Sequence, residues 1–204
     1  MAATPSTKLD PVTRQAVLGT AAAAIDSGLG RSIASPPDAR HLPQPLAEHR
    51  ATFVTLTLDR ALRGCCGTLE PSRPLLIDVW RNAQASAFHD PRFPPLTLAE
   101  WRSVELEVSV LTPCQRVMVA SEQELLLALE PGRDGLVLAW QGTRATFLPK
   151  VWDQIADVQE FVRRLKQKAG WPADLWTADI EVWRYETEIV GPVPAPSVAA
   201  AGAA

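Results

Sequence analysis

An α+β fold with a largely antiparallel sheet and flanking helices follows from three features of this 204-residue sequence. Val104, Leu106, Val108 and Val110 alternate with Glu105, Glu107 and Ser109, the period of a half-exposed strand. Gln141-Gly142 separates two apolar runs, as a hairpin turn does. Helical patterns are scattered between strands without the repeating strand–helix–strand unit that builds a parallel sheet.

The elements can be justified in order. Asp10-Pro11 supplies an N-cap and a first-turn proline for a helix that stops at Gly28. Pro36, Pro37, Pro43 and Pro45 forbid a regular element over 31–50 and predict a long surface loop. From Ala51 to Leu58 the period is two, and Leu62 to Leu69 reads as a strand paired with that run. Gly64 and Gly67 inside it signal a bulge or a close backbone approach. Pro74 opens a helix with Leu75, Leu76, Val79, Trp80, Ala83 and Ala87 on its buried stripe, ending near Phe88-His89. Asp90 to Pro95 forms a proline-stiffened connector. Thr97 and Glu100 then make a capping box for a one-turn helix, and Ser121 with Glu124 a second box for a helix through Leu129.

Residues 135–140 and 143–148 form the hairpin, followed by a short helix from Pro149 to Ile155 and an Asp157-capped helix through Lys168. Ile180 to Tyr185 is the last expected strand. Past Glu188 the chain carries no charge, so 191–204 are expected to be a disordered Pro/Ala tail.

Composition narrows the function classes. Hydrophobic residues make up 47% and charged residues 21%, which excludes disorder of the whole chain. A net charge of −3 gives no field favouring nucleic acid, although the chain has an arginine excess. No apolar run reaches the length of a membrane span. The N-terminus lacks a secretory signal pattern, and Cys65, Cys66 and Cys114 match no disulfide framework, so a reduced, cytoplasmic protein is expected. The cysteines and His41, His49 and His89 fit no metal-ligand spacing, and no cofactor is expected.

Leu62-Arg63-Gly64-Cys65-Cys66-Gly67 resembles the Leu-Arg-Gly-Cys-Ile-Gly fingerprint of the AMMECR domain family. Further blocks match in the same order. They include Asp90-Pro91-Arg92-Phe93-Pro94-Pro95-Leu96, Glu107-Val108-Ser109-Val110-Leu111, Asp134-Gly135-Leu136-Val137-Leu138 and Ala145-Thr146-Phe147-Leu148-Pro149-Lys150-Val151-Trp152. The resemblance covers roughly residues 10–190 and implies one AMMECR-type domain, residues 1–190, of two interleaved lobes. Bacterial members are known as component A of the AmmeMemoRadiSam set, whose other parts are a Memo-like protein and a radical SAM enzyme. The resemblance therefore implies those partners. The family has no settled reaction. This chain departs from the fingerprint at Cys66, where isoleucine is usual.

The candidate chemistry centres on Cys65 with Arg63. Strand alternation puts both on one side and Cys66 on the other, facing inward as a small hydrophobe. A cation beside Cys65 would favour its thiolate, and Gly64 and Gly67 would let a ligand reach backbone N–H groups. Cys65 would then open into a cleft between lobes, accessible to small molecules. The alternative is an inert buried thiol, with Arg63 paired to Glu70 or Asp90. His89, Asp90 and Arg92 form a second candidate, either an acid/base group with site walls or a capped, tethered loop. Glu107 faces either the same site or water. Two functions remain open, an enzyme or substrate-handling subunit built on Cys65, and a non-catalytic protein-binding adaptor. Nucleic-acid association, suggested by the arginines and by Trp183-Arg184-Tyr185, ranks third because the pI is about 5.6.

Overall fold

A computed structural model describes residues 9–194 and divides them into two compact units. One unit holds the residues up to Leu111 together with those from Glu188 onward; the other holds Thr112–Thr187. Each contains an antiparallel sheet, which makes the chain α+β, as the alternating periods predict.

In the first unit α1 (Pro11–Gly28) starts where Asp10 accepts the backbone N–H groups of Val12 and Thr13. A two-residue turn at Asp59 and Arg60, both in the left-handed region (φ 51° and 64°), joins β1 (Thr52–Leu58) to β2 (Ala61–Gly67). That twist matches the twist of the paired strands. Next come α2 (Leu75–Phe88) and α3 (Leu98–Trp101), the latter closed by the expected Thr97/Glu100 box, and then β3 (Glu105–Leu111). The sheet order is β2-β1-β3-β8, which leaves β2 at an edge. Val54, Leu56, Leu106, Val108 and Val110 point from one face into a core shared with Val17, Ala21 and Ile25 of α1 and Leu75, Val79 and Ala83 of α2. The opposite face carries Thr55, Cys65 and Glu107.

The second unit is built on β4 (Gln115–Arg116), β5 (Gly135–Trp140), β6 (Thr143–Phe147) and β7 (Glu181–Tyr185), in the order β4-β7-β5-β6. Its helices are α4 (Glu122–Ala128) and α5 (Val158–Lys168). Leu136, Leu138, Phe161 and Leu165 form the core, with the Trp152 indole stacked on Phe161 at 3.6 Å. Lys166 is fully buried, its ammonium held by Glu122 at 2.9 Å and by the Leu175 carbonyl at 3.3 Å.

Four expectations are corrected. The proline-rich loop contains a 3-10 turn at Ala39–His41, because Asp38 accepts the Arg40 backbone N–H and starts it. The short helix expected from Pro149 to Ile155 is present as a 3-10 helix and ends two residues earlier, at Asp153. The second capping box is half formed: Ser121 accepts the Glu124 N–H, while the Glu124 carboxylate turns to the Ala120 N–H. The tail expected from residue 191 begins as strand β8 (Thr187–Pro194), beside β3. The uncharged residues after Glu188 can be stabilised as strand by the neighbouring strand's backbone. Glu188 also ties β8 to α1, accepting the Leu9 N–H and pairing with Arg14. Residues 195–204 of the expected tail lie outside the described residues. No helix among the described residues is long and apolar enough to cross a membrane.

Candidate functional site

Four residues of α2 and its C-terminal end recur at every fourth position: Asp78, Asn82, Ser86 and Asp90. That spacing lines them along one helix face, and all four are buried. Each reaches the backbone or side chains of β1 and β2. The Asp78 Oδ2 accepts the Thr52 N–H at 3.0 Å and the Thr68 hydroxyl at 2.8 Å. The Asn82 amide donates to the Thr52 carbonyl at 3.0 Å. The Ser86 hydroxyl donates to the Val54 carbonyl at 2.7 Å and accepts the Cys66 N–H at 2.8 Å. The Asp90 Oδ2 accepts the Cys65 N–H at 2.9 Å. This polar rail fixes the fingerprint strand against the helix. Sequence reasoning missed Asp78, Asn82 and Ser86 as a set. The signal was present as polar residues at a four-residue interval inside an apolar stripe.

The glycines serve this packing. A Cβ on Gly64 would lie 2.1 Å from the Ser86 carbonyl oxygen, and one on Gly67 2.3 Å from the Phe53 ring. The N–H groups of Cys65 and Cys66 are taken by Asp90 and Ser86. The expectation that the glycines open the backbone to a ligand is therefore replaced by close approach of helix and neighbouring strand.

Arg63 also departs from expectation. Leu56 opposes Gly64 and Thr57 opposes Leu62, so Arg63 is the extra residue of a β-bulge. The bulge breaks the alternation that would have set Arg63 beside Cys65. Arg63 is buried, and its guanidinium turns to the connector and α3. Nε donates to Glu100 Oε1 at 2.8 Å, and Nη2 donates to Oε2 at 3.1 Å and to the Pro94 carbonyl at 3.0 Å. This fork lowers the Glu100 pKa to about 2, with burial opposing it. The partner of Arg63 is thus Glu100, not Glu70 or Asp90.

The cation beside the thiols is Arg92. Cys65 opposes Thr55 on the edge strand, and both its backbone polar groups face off the free edge. Asp90 takes the N–H, and Arg92 Nη2 donates to the carbonyl at 3.1 Å. Arg92 also grips Asp90 side-on, through Nε to Oδ1 at 2.9 Å and Nη2 to Oδ2 at 2.7 Å. These bonds, those of Arg92 first, hold the Asp90 carboxyl well below the usual carboxylate range. The Phe93 ring lies 5.5 Å from the Arg92 guanidinium carbon and 5.8 Å from that of Arg63.

Cys65 is half-buried on the sheet face opposite that core, where the Thr55 hydroxyl donates to Sγ at 3.5 Å. Thr55 also opposes Glu107, so Cys65, Thr55 and Glu107 form one cross-strand row. Cys66 opposes Val54, which points into the core, and burial pushes its thiol pKa up, helped by the negative charge of Asp90. His89 is exposed at the end of α2, and its N–H caps the helix on the Ala85 carbonyl. The geometry gives it a capping position rather than a pairing with Asp90, whose oxygens serve Cys65 and Arg92. In the second unit the guanidinium carbons of Arg116 and Arg144 lie 6.0 and 5.5 Å from the Trp183 ring, and Arg116 pairs with Glu181. Among the described residues no group of three His, Cys, Asp or Glu side chains could hold a metal ion.

A cysteine-bearing edge strand in an antiparallel sheet, clamped by a buried helix rail and an Asp–Arg pair, defines the class of protein. The AMMECR1 family model matches residues 18–190, and the chain belongs to that family. It is 40% identical over 151 residues to protein MJ0810 of Methanocaldococcus jannaschii, covering 72% of this chain and 75% of that one. A Thermotoga maritima protein is 36% identical over 150 residues, covering 72% and 81% of the two chains. The crystal structure of the uncharacterised protein PH0010 from Pyrococcus horikoshii superposes with a TM-score of 0.74 at 34% identity, covering 85% of this chain and 88% of that one.

Proposed function

We propose that Cys65 is the working thiol of this AMMECR1-family protein, an enzyme or substrate-handling subunit of a cytoplasmic modification pathway that acts with Memo-like and radical SAM proteins. One observation carries the reading. The peptide at Cys65 is held at both its N–H and its carbonyl by Asp90 and Arg92, while the residue is not sealed in the core and its sulfur accepts the Thr55 hydroxyl. An inert core thiol needs no such anchoring, whereas a nucleophile gains from a fixed approach geometry. Arg63 supports the loop that presents Asp90 and Arg92, through Glu100 and Pro94. Gly64, Gly67 and Asp90 are positioning residues in this reading, and Glu107 closes the far end of the row.

The test is alkylation of a Cys66→Val, Cys114→Ala chain with iodoacetamide, followed by intact-mass analysis. Stoichiometric labelling of Cys65 in the folded protein is expected. Labelling seen only after denaturation would overturn the reading and leave a scaffold.

A further inference from the structure

We propose that Arg92 anchors an oxyanion on the molecule that Cys65 meets, so that the substrate class is an acid, bearing a carboxylate or phosphate group, rather than a neutral compound. The inference rests on the reading of Cys65 as an accessible thiol.

A guanidinium has five N–H donors in a rigid fork. In Arg92, Nε and Nη2 are spent on Asp90 and on the Cys65 carbonyl. Both hydrogens of Nη1 remain, since no partner for that atom occurs among the described residues. The side chain is 52% exposed, and the Asp90 carboxylate beneath it only 2%. The buried end of the pair is therefore negative and the exposed end positive. The fork is held against Asp90, and Phe93 lies close to it. Little conformational entropy is left to lose when a ligand binds. Because Nη2 already touches the carbonyl of Cys65 itself, an oxyanion on Nη1 is held beside the residue that carries the thiol.

The other arginines nearby are poorer candidates. Arg63 is 9% exposed at its side chain and committed to Glu100. Arg73, 27% exposed, faces the fully buried Asp78 at 3.3 Å. The Arg92–Asp90 pair is neutral as a whole, so it recognises an anion at short range and does not steer one from a distance.

The experiment compares two alkylating agents on Cys65 in the full chain carrying Cys66→Val and Cys114→Ala. Iodoacetate and iodoacetamide react alike: the sulfur–carbon bond forms, iodide leaves with the bonding pair and the thiol proton goes to solvent. They differ only in a carboxylate against an amide. The ratio of iodoacetate to iodoacetamide rates is expected to exceed that of a free cysteine peptide. Arg92→Gln should lower it by about five- to tenfold, the worth of a charge-assisted hydrogen bond, and Arg92→Lys by less. A ratio equal to the peptide's and unmoved by Arg92→Gln would overturn the inference while leaving Cys65 reactive. A Cys65 inert to iodoacetamide would instead remove the underlying reading, and this inference with it.

Should Arg92→Gln fail to fold, a second measurement on the chain with Arg92 intact decides. Sodium phosphate or sodium acetate, at ionic strength matched with sodium chloride, is added before iodoacetamide. Protection by phosphate alone assigns a phosphate group, protection by acetate assigns a carboxylate, and protection by neither overturns the proposal.

Discussion

At the scale of single residues, Cys65 and Cys66 are neighbours with different chemistry. Cys65 stands beside Thr55 on the face turned away from the α1 and α2 core, and Cys66 stands opposite the core residue Val54. Burial raises the Cys66 pKa above the ordinary thiol value of 9.0, because the charged thiolate is the form that burial penalises. In a Cys65→Ser, Cys114→Ala chain, the pH–rate profile for alkylation of Cys66 should therefore reach its midpoint above pH 9.0. A midpoint at or below that value would contradict the packing described. Gly64 is equally local. An alanine methyl would fall 2.1 Å from the Ser86 carbonyl oxygen, a backbone atom that cannot rotate away. Gly64→Ala is expected to cost about 2–3 kcal/mol, read as a lower urea midpoint at unchanged slope. Cys65 and Gly64 were visible in the fingerprint itself. The role of Gly64 was not, because the clashing atom lies 22 residues further along the chain.

At the scale of elements, the bulge in β2 decides which arginine does what. Simple alternation puts Arg63 beside Cys65; one inserted residue turns it to Glu100 on α3. The Thr97/Glu100 capping box was legible because its signals are local, three residues apart. That the same carboxylate also receives Arg63 was not. Glu100→Gln should destabilise the protein by about 1–3 kcal/mol near neutral pH, discounted for the partial exposure of Glu100. The folded-state pKa of Glu100 is depressed, from 4.5 to about 2. Its contribution is fully present above pH 4.5 and lost as pH falls through about 2. Thermal melts of the two proteins should accordingly converge as pH falls across that window. A difference that stays constant would show that the pair is not the source.

At the scale of the whole molecule, the first unit is assembled from both ends of the chain. Its sheet closes with β8, which arrives only after the whole of the second unit has been traversed. A chain ending at Glu186 should lose hydrogen-exchange protection in β3 and at the start of α1, because β3 becomes an edge and Glu188 no longer holds Leu9 and Arg14. Retained protection in both would show that β8 is dispensable. By itself the sequence determined the α+β class, the helix caps, the hairpins and the position of the cysteine motif. Each depends on periodicity or on side chains within a few residues of one another. Only the tertiary structure decided that Arg92 rather than Arg63 stands by the thiol, that a helix rail holds the fingerprint strand, and that an uncharged tail segment is a strand. Those outcomes depend on a bulge and on partners distant in the chain, where pattern within a short window carries no information about contact.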